Sequence, residues 1–320
     1  MSDIELKPFR ALSPAFLKDL KKGKLSFILD FESKHRESFI AEIRDKYLEL
    51  YFLGHAVEVR NTKEGYLLIA SKEFKPEIES AESIVQPYGD KKWKIPFANI
   101  KDFKHFDDIM TAILLKIVRH KKGKISEGVS EINHFVDNRA IRNNGILVID
   151  RQVVYPGLPE SKIDLLGLKR LSKSENKFTF SVIELKNQNN PEIQKVFSQT
   201  KRYIDILYNR DRYEHFRLTY ENVLKQKFEL RLLRRIGIRI AHYDEISKND
   251  IKGVVVLDNY NIKSDFSNNG LLHRALSNWN EIGGDYDIKL FLKTNVLDST
   301  FFMGKKETEQ TLRRYKECNL

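Results

Sequence analysis

Two short apolar runs, Ile163–Leu168 and Phe178–Leu185, stand out in the pattern of hydrophobic and polar positions. A polar stretch, Ser172–Lys177, separates them. Apolar runs of this length around a short polar loop predict a β-hairpin. After Pro191, which suits the first turn of a helix, apolar residues recur at helical spacing over Glu192–Tyr208. We therefore expect strand, strand and helix in this order.

Similar patterns flank this segment and predict a mixed α/β domain. A polar helix is expected before the hairpin, followed by a further strand, and a buried strand is expected after the long helix. Less distinct elements follow towards the carboxyl end. In chain order, these elements are Ser126–Ile141 (helix), Ile146–Val154 (strand), Gly253–Leu257 (strand), Leu271–Trp279 (helix), Asp287–Lys293 (strand) and Lys305–Lys316 (helix).

The first 120 residues predict a smaller α+β domain, with residues 121–320 forming the second domain. Apolar spacing favours helices over Phe16–Leu25, Glu37–Leu53 and Met110–Val118. Ala56–Val59 and Tyr66–Ala70 predict a hairpin. No motif in this region indicates a function.

The predicted hairpin carries an unusual set of charges. If it pairs symmetrically about Ser174, Asp164 lies directly opposite Glu184, with Cβ atoms roughly 5 Å apart. Glu184 and Lys186 share one face because side chains alternate along a strand. Opposed, partly desolvated carboxylates repel each other, and a divalent cation offsets that cost; hard oxygen ligands favour Mg²⁺. The alternative is a strand end with an ordinary salt bridge.

The helix after the hairpin adds two polar side chains. Gln199 and Tyr203 are four residues apart and so lie on one helical face. Beside a pair of carboxylates, they could hold metal ligands, a water molecule or a phosphate. The alternative is a surface glutamine next to a half-buried tyrosine.

Together, Asp164, Glu184-Leu185-Lys186 and the Gln199…Tyr203 pair resemble the PD-(D/E)XK nuclease superfamily, including the Q-x-x-x-Y helix of its exonuclease-like branch. The resemblance covers roughly residues 120–260, with Ile163 where the family often has proline. It implies a restriction-endonuclease-like α-β-β-β-α-β core with a mixed sheet. Within the superfamily, the arrangement is most similar to the Shedu-type antiviral defence nucleases, in which a variable amino-terminal region precedes the nuclease core.

The resemblance also implies roles for the residues. Asp164 and Glu184 would bind Mg²⁺, or Mn²⁺ in its place, and a first-helix glutamate would complete the metal site. Glu131 is favoured over Glu127 for that position, because its helix continues with apolar residues. Lys186 would position the attacking water, and Gln199 and Tyr203 would orient the reacting groups. The implied activity is that of a magnesium-dependent deoxyribonuclease acting in defence against foreign DNA.

Charge is consistent with a nucleic-acid partner. The net charge is +11 and the sequence pI is about 9.4. The first 120 residues contain 21 Lys+Arg and 19 Asp+Glu, which leaves 35 and 26 for the remainder, so most of the excess lies with the predicted site. The densest basic stretch, Lys225–Arg239, could bind phosphate, form a solvated helix face or contact another copy of the chain. Its candidate nucleic-acid ligands are Lys225, Lys227, Arg231, Arg234 and Arg235.

Composition excludes some classes of protein. The single cysteine, Cys318, excludes an internal disulfide and a cysteine-ligated zinc site. No apolar run approaches the roughly 20 residues of a membrane span. We therefore expect a cytoplasmic homo-oligomer that binds DNA. Two alternatives stay open: a non-catalytic nucleic-acid-binding or assembly protein that retains the fold, and a nuclease directed at RNA.

Overall fold

The computed structural model describes residues 7–35, 39–121, 146–171, 177–187, 190–233, 245–258, 270–282, 286–293, 300–303 and 310. The chain divides into two compact units. Unit 1 comprises residues 1–136 and 217–237, and unit 2 comprises residues 137–216 and 238–320. The predicted division at residue 120 assigned the segment with Lys225, Lys227 and Arg231 to the second domain, whereas this segment belongs to unit 1.

Unit 1 contains a six-stranded antiparallel sheet in the order β1-β2-β3-β4-β6-β5. Its predicted hairpin is confirmed as β3 and β4, with Gly65 at φ +100° at the start of β4, directly after the connecting turn. The strands are β1 (Ile40–Ile43), β2 (Tyr47–Phe52), β3 (His55–Thr62), β4 (Gly65–Ser71), β5 (Gln86–Tyr88) and β6 (Lys92–Pro96).

Four helices of unit 1 lie within the described residues 7–35 and 39–121, and two of them match the sequence pattern. The predicted helix Met110–Val118 is confirmed within α4, and the predicted helix Phe16–Leu25 is confirmed as far as Lys22, where α1 ends. The Ser13 hydroxyl caps α1 by accepting from the Phe16 N–H. Buried aromatic rings, including Phe31 and Phe106 in edge-to-face contact, fill the core. The helices are α1 (Pro14–Lys22), α2 (Ser26–His35), α3 (Glu79–Glu82) and α4 (Phe103–Lys121), with 3-10 turns at Lys72–Phe74 and Phe97–Asn99.

The predicted helix over Glu37–Leu53 is wrong. Its described residues form β1, a turn with Lys46 at φ 65°, and β2. Aromatic and β-branched side chains such as Ile40, Ile43 and Tyr47 fit a pleated surface, and pairing of β2 with β3 extends the sheet. Cross-strand pairing, which helical periodicity does not reveal, therefore decides the local structure.

Lys227 lies in the core of unit 1, which corrects its assignment as a nucleic-acid contact. Its ammonium donates to the Glu42 carboxylate at 2.7 Å, and the two side chains are 1% and 0% exposed. Lys227 sits near the end of α6 (Arg210–Glu229), the helix whose residues from Arg217 onwards belong to unit 1. A lysine paired in the core presents no charge to a phosphate in solvent.

Lys227→Ala should lower the free energy of unfolding of unit 1 by about 3–5 kcal/mol, because it leaves the Glu42 carboxylate buried without its cation. Lys227→Met, which keeps the volume, should still destabilise through the same loss of charge. Exposed Lys225 on the same helix is the matched control, and Lys225→Ala should change stability by no more than about 0.5 kcal/mol. Urea unfolding followed through buried Trp93, in a Trp279→Phe background, measures unit 1 alone.

Unit 2 contains a six-stranded mixed sheet in the order β12-β11-β10-β9-β8-β7. Strands β7, β8 and β9 form an antiparallel meander, β9, β10 and β11 run parallel, and β12 is antiparallel to β11. The α/β class is thereby confirmed. The strands are β7 (Ile146–Tyr155), β8 (Leu158–Arg170), β9 (Lys177–Asn187), β10 (Glu245–Asp258), β11 (Ile288–Lys293) and β12 (Thr300–Met303).

The long helix after the hairpin packs on one face of this sheet. A 3-10 turn at Pro191–Lys195 leads into α5 (Val196–Tyr208), and α7 (Leu271–Glu281) stacks Trp279 on Phe197 at 4.2 Å between ring centroids. A Cβ added to Gly253 of β10 would meet Thr200 Cγ2 at 2.9 Å. Glycine therefore allows α5 to approach the sheet closely.

The predicted hairpin and its register are confirmed. Leu165 pairs with Ile183 and Leu166 with Val182, which is the alignment expected for symmetry about Ser174. The predicted strands at Ile146, Gly253 and Asp287 and the helix at Leu271 are also present. The predicted helices Ser126–Ile141 and Lys305–Lys316 lie outside the described residues, apart from Gln310.

No helix in the described part of the chain is long and apolar enough to cross a membrane.

Candidate metal centre and its surroundings

Asp164 and Glu184 come from neighbouring strands at one end of the β8–β9 ladder. The register places residue 164 opposite residue 184, one step beyond the Leu165–Ile183 pair. Residues opposite each other in an antiparallel pair share a face. Asp164 also accepts a hydrogen bond from the backbone N–H of Leu185 at 2.9 Å, which ties its carboxylate to β9. The two predicted carboxylates therefore lie at the same end of adjacent strands.

Lys186 is paired with Glu184. The Lys186 ammonium donates to Glu184 Oε1 at 2.7 Å, across the two-residue repeat that places both on one face of β9. Asp164, Glu184 and Lys186 are 7%, 2% and 4% exposed. Two carboxylates and one ammonium leave a formal net charge of −1 in a buried position, which a divalent cation can offset.

Tyr203 of α5 lies within electrostatic reach of both carboxylates. Burial, followed by the negative charge of Glu184 and with a smaller contribution from Asp164, raises the pKa of Tyr203 to about 12. Arg202, whose guanidinium lies 5.3 Å from the Tyr203 ring centroid, acts in the opposite direction. The phenol therefore stays protonated at neutral pH and can donate a hydrogen bond beside the carboxylates.

Gln199, four residues before Tyr203 on α5, is partly buried. Its Oε1 atom is buried and accepts no hydrogen bond from the described residues. Because α5 covers the face of the sheet that holds Val182 and Gly253, the same face as Glu184, Gln199 and Tyr203 belong to the helix above the carboxylates. A carboxamide oxygen is a hard ligand of the same class as a carboxylate oxygen.

Sequence reasoning missed Gln152 of β7. It falls opposite Asp164, between the pairs Arg151–Leu165 and Val153–Ile163, and has φ 47° next to a register shift in the strand. Positive φ is rare outside glycine, and irregular strand positions cluster near functional sites. The position depends on a strand irregularity that no short pattern in residues 146–155 signals.

The donor set fits a hard divalent cation only in part. Among the described residues, no group of three or more His, Cys, Asp or Glu side chains is close enough to hold a metal. Asp164 and Glu184 supply two carboxylates, the number that commonly binds Mg²⁺ together with water and substrate phosphate. Glu131 and Glu127, the candidates for a third, lie outside the described residues.

The candidate nucleic-acid ligands also lie partly within and partly outside the described residues. Lys225 and Arg231 are exposed in unit 1, and Arg231 adopts φ 62° just after α6 ends. Arg234 and Arg235 lie outside the described residues.

Comparisons of the chain with protein-family models, curated proteins and solved structures find no match in any of the three.

Tyr203 should ionise well above the ordinary tyrosine pKa of 10.0. Its contribution to stability is complete below about pH 10, where the tyrosine of the unfolded chain is still protonated, and is lost as pH rises through about 12. Near-ultraviolet phenolate absorbance of the wild type minus that of Tyr203→Phe should isolate this late transition. Glu184→Gln should shift it to lower pH, whereas exposed Glu192→Gln should not; an unshifted transition would place Tyr203 away from Glu184.

Proposed function

We propose that this protein is a metal-dependent nuclease that hydrolyses phosphodiester bonds in DNA, of the PD-(D/E)XK type. The observation that carries the proposal is the buried arrangement of Asp164, Glu184 and Lys186, two carboxylates on paired strands with an ammonium bonded to one of them. In a metal-dependent phosphodiesterase, carboxylates would hold the ion and a lysine would add positive charge near the phosphate and its attacking water.

The order of elements in unit 2 supports the finer fold assignment. An antiparallel meander of β7, β8 and β9 is followed by α5 and by β10, which lies parallel to β9. This order is the one expected for the β-β-β-α-β part of a restriction-endonuclease-like core, in which the acidic residues would lie on the second and third strands. The proposed first helix falls outside the described residues.

Asp164 and Glu184 would hold Mg²⁺ or Mn²⁺, with Glu131 as the proposed third ligand. When bound, the ion would polarise the phosphate and lower the pKa of a bound water. Lys186, which forms a 2.7 Å ion pair with Glu184, would orient that carboxylate and add positive charge near the phosphate. Tyr203, kept protonated by its raised pKa, and Gln199 would orient the water or a phosphate oxygen.

A DNA substrate is proposed from charge and from the family resemblance. The net charge of +11 favours a polyanion, and exposed Lys225 and Arg231 stay candidates for phosphate contacts. Defence against foreign DNA, a cytoplasmic location and self-association are parts of the same proposal that rest on the resemblance and composition alone.

A second function, non-catalytic nucleic-acid binding on a retained nuclease fold, is favoured by one observation. The Glu184 and Lys186 side chains are buried and form an ion pair with each other, as in a pair whose role is structural. Cleavage assays with linear and circular DNA and matched RNA, with Mg²⁺ or Mn²⁺ and with chelator, separate binding from hydrolysis and DNA from RNA.

Asp164→Asn, Glu184→Gln and Lys186→Met should each reduce DNA cleavage by about 100-fold or more, while DNA binding stays close to that of the wild type. These substitutions keep side-chain volume and leave the basic surface unchanged. Cleavage and binding are measured in parallel on the same preparations. The variants Asp164→Ala, Glu184→Ala and Lys186→Ala remove each functional group together with the rest of the side chain.

Glu192→Gln is the matched control, because Glu192 is an exposed carboxylate of the same unit that opens the 3-10 turn before α5. It should cleave like the wild type. Thermal unfolding of each variant identifies loss of folding, and the double variant Glu184→Gln/Lys186→Met avoids a buried lysine without its carboxylate. Full cleavage by correctly folded Glu184→Ala would end the nuclease assignment.

A further inference from the structure

Three lysines gather on the face of the unit 2 sheet that is turned away from α5. Lys169 of β8, Lys252 of β10 and Lys289 of β11 surround Asp287, the residue before β11. The Lys252 ammonium lies 2.6 Å from the Asp287 carboxylate, and the Lys289 ammonium lies 3.9 Å from the same carboxylate. Three ammonium groups and one carboxylate leave a formal charge of +2, so the cluster favours an anion.

The excess positive charge shifts the pKa values of residues within the cluster. Burial, and then repulsion from Lys252 and Lys289, lowers the pKa of Lys169 in spite of the attraction of Asp287. The pKa of Asp287 is lowered as well, because its three lysine neighbours outweigh the effect of burial. Among the described residues of the cluster, one carboxylate therefore faces three cations, and a second anion would relieve the remaining repulsion.

Two buried hydroxyls stand beside these lysines. Thr179 pairs with Lys169 across the β8–β9 ladder, and Ser181 is in register with Lys252 in the β9–β10 ladder. Residues in register on adjacent strands share a face and lie about 5 Å apart at Cβ. Thr179 and Ser181 are both 0% exposed, and their hydroxyls have no hydrogen-bond partner among the described residues.

Burying a hydroxyl without a hydrogen-bond partner costs free energy, because the hydrogen bonds to water are lost and not replaced. A bound ligand that accepts hydrogen bonds would remove that cost. The β9–β10 ladder is also irregular at this point, because β10 shifts its register between Ser247, which pairs with Thr179, and Lys252, which pairs with Ser181. Such irregularities often accompany sites where a ligand meets a sheet.

We propose that Lys169, Lys252 and Lys289, together with the Thr179 and Ser181 hydroxyls, form a binding site for a phosphate group. A tetrahedral phosphate accepts hydrogen bonds from hydroxyls on one side and from ammonium groups on another, and it carries the charge that the cluster lacks. Asp287 and Lys289 are 40% and 39% exposed in their side chains, so the cluster has an open side toward solvent. The phosphate belongs either to a free anion or to a nucleic-acid backbone.

This site is separate from the proposed metal centre. Thr179 and Ser181 lie on the face of β9 opposite to Glu184, because their positions differ by an odd number of residues. Lys169 is five residues from Asp164 along β8, a distance of about 17 Å in an extended strand. The site can therefore exist whether or not the protein cleaves DNA.

Titration calorimetry of the full chain with inorganic phosphate tests the site, at constant ionic strength so that screening stays equal. The wild type should bind one phosphate, and sodium chloride should not reproduce the heat. Lys252→Gln and the double variant Thr179→Val/Ser181→Ala should each weaken binding by about tenfold or more, as expected when charged hydrogen bonds are lost. Thermal unfolding confirms that each variant is folded and shows whether phosphate still stabilises it.

Lys94→Gln is the matched control, because Lys94 is likewise paired with one carboxylate, Glu64, but belongs to unit 1. It should bind phosphate like the wild type, as should Asp164→Asn. Competition with a short DNA duplex identifies the source: displacement of phosphate indicates a backbone phosphate, and its absence a free anion. Undetectable phosphate binding, or equal binding by the hydroxyl double variant, would overturn the proposal.

Discussion

Burying Asp164 and Glu184 at the end of a sheet carries a free-energy cost that the surrounding structure must offset. An isolated carboxylate in an apolar site is strongly disfavoured, and two opposed ones repel each other. The offsets visible here are the ammonium of Lys186 on Glu184 and the Leu185 N–H on Asp164. The ion pair lies within β9, whereas the Leu185–Asp164 bond crosses from β9 to β8, so the position of Asp164 beside Glu184 rests on that strand pairing.

Register matters because a shift of one residue would turn every side chain of a strand to the other face. In the observed pairing, Glu184 and Lys186 share the face covered by α5, while Thr179 and Ser181 face the other way beside the lysine cluster. Gly253 allows the close approach of Thr200, and so fixes α5 over the carboxylates. One sheet thus separates an acidic centre from a basic cluster.

The hairpin was predictable because its evidence is local. Two apolar runs, a short polar loop and the symmetric spacing of residues 164 and 184 are enough to fix both strands and their register. The helix that carries Tyr203 was predictable in the same way, from its apolar spacing. These signals lie within about 45 residues of each other and need no knowledge of the rest of the chain.

The features that the sequence did not predict depend on contacts between residues that are far apart in the chain. Lys227 looks like a surface cation in its own segment, yet its partner is Glu42, 185 positions earlier in the chain. The strands between Ile40 and Phe52 are fixed by pairing with β3, and the phosphate site draws on four different strands or their ends. Gln152 depends on a strand irregularity. Local sequence patterns contain none of this information.

The most direct test of the central claim is a crystal of the full chain soaked in Mn²⁺, with diffraction recorded at the manganese absorption edge. The account predicts an anomalous peak within coordination distance of both the Asp164 and the Glu184 carboxylates, lost in Asp164→Asn. Finding no manganese there under conditions in which the crystal binds it elsewhere, with the two carboxylates directed to separate surroundings, would contradict a shared metal centre.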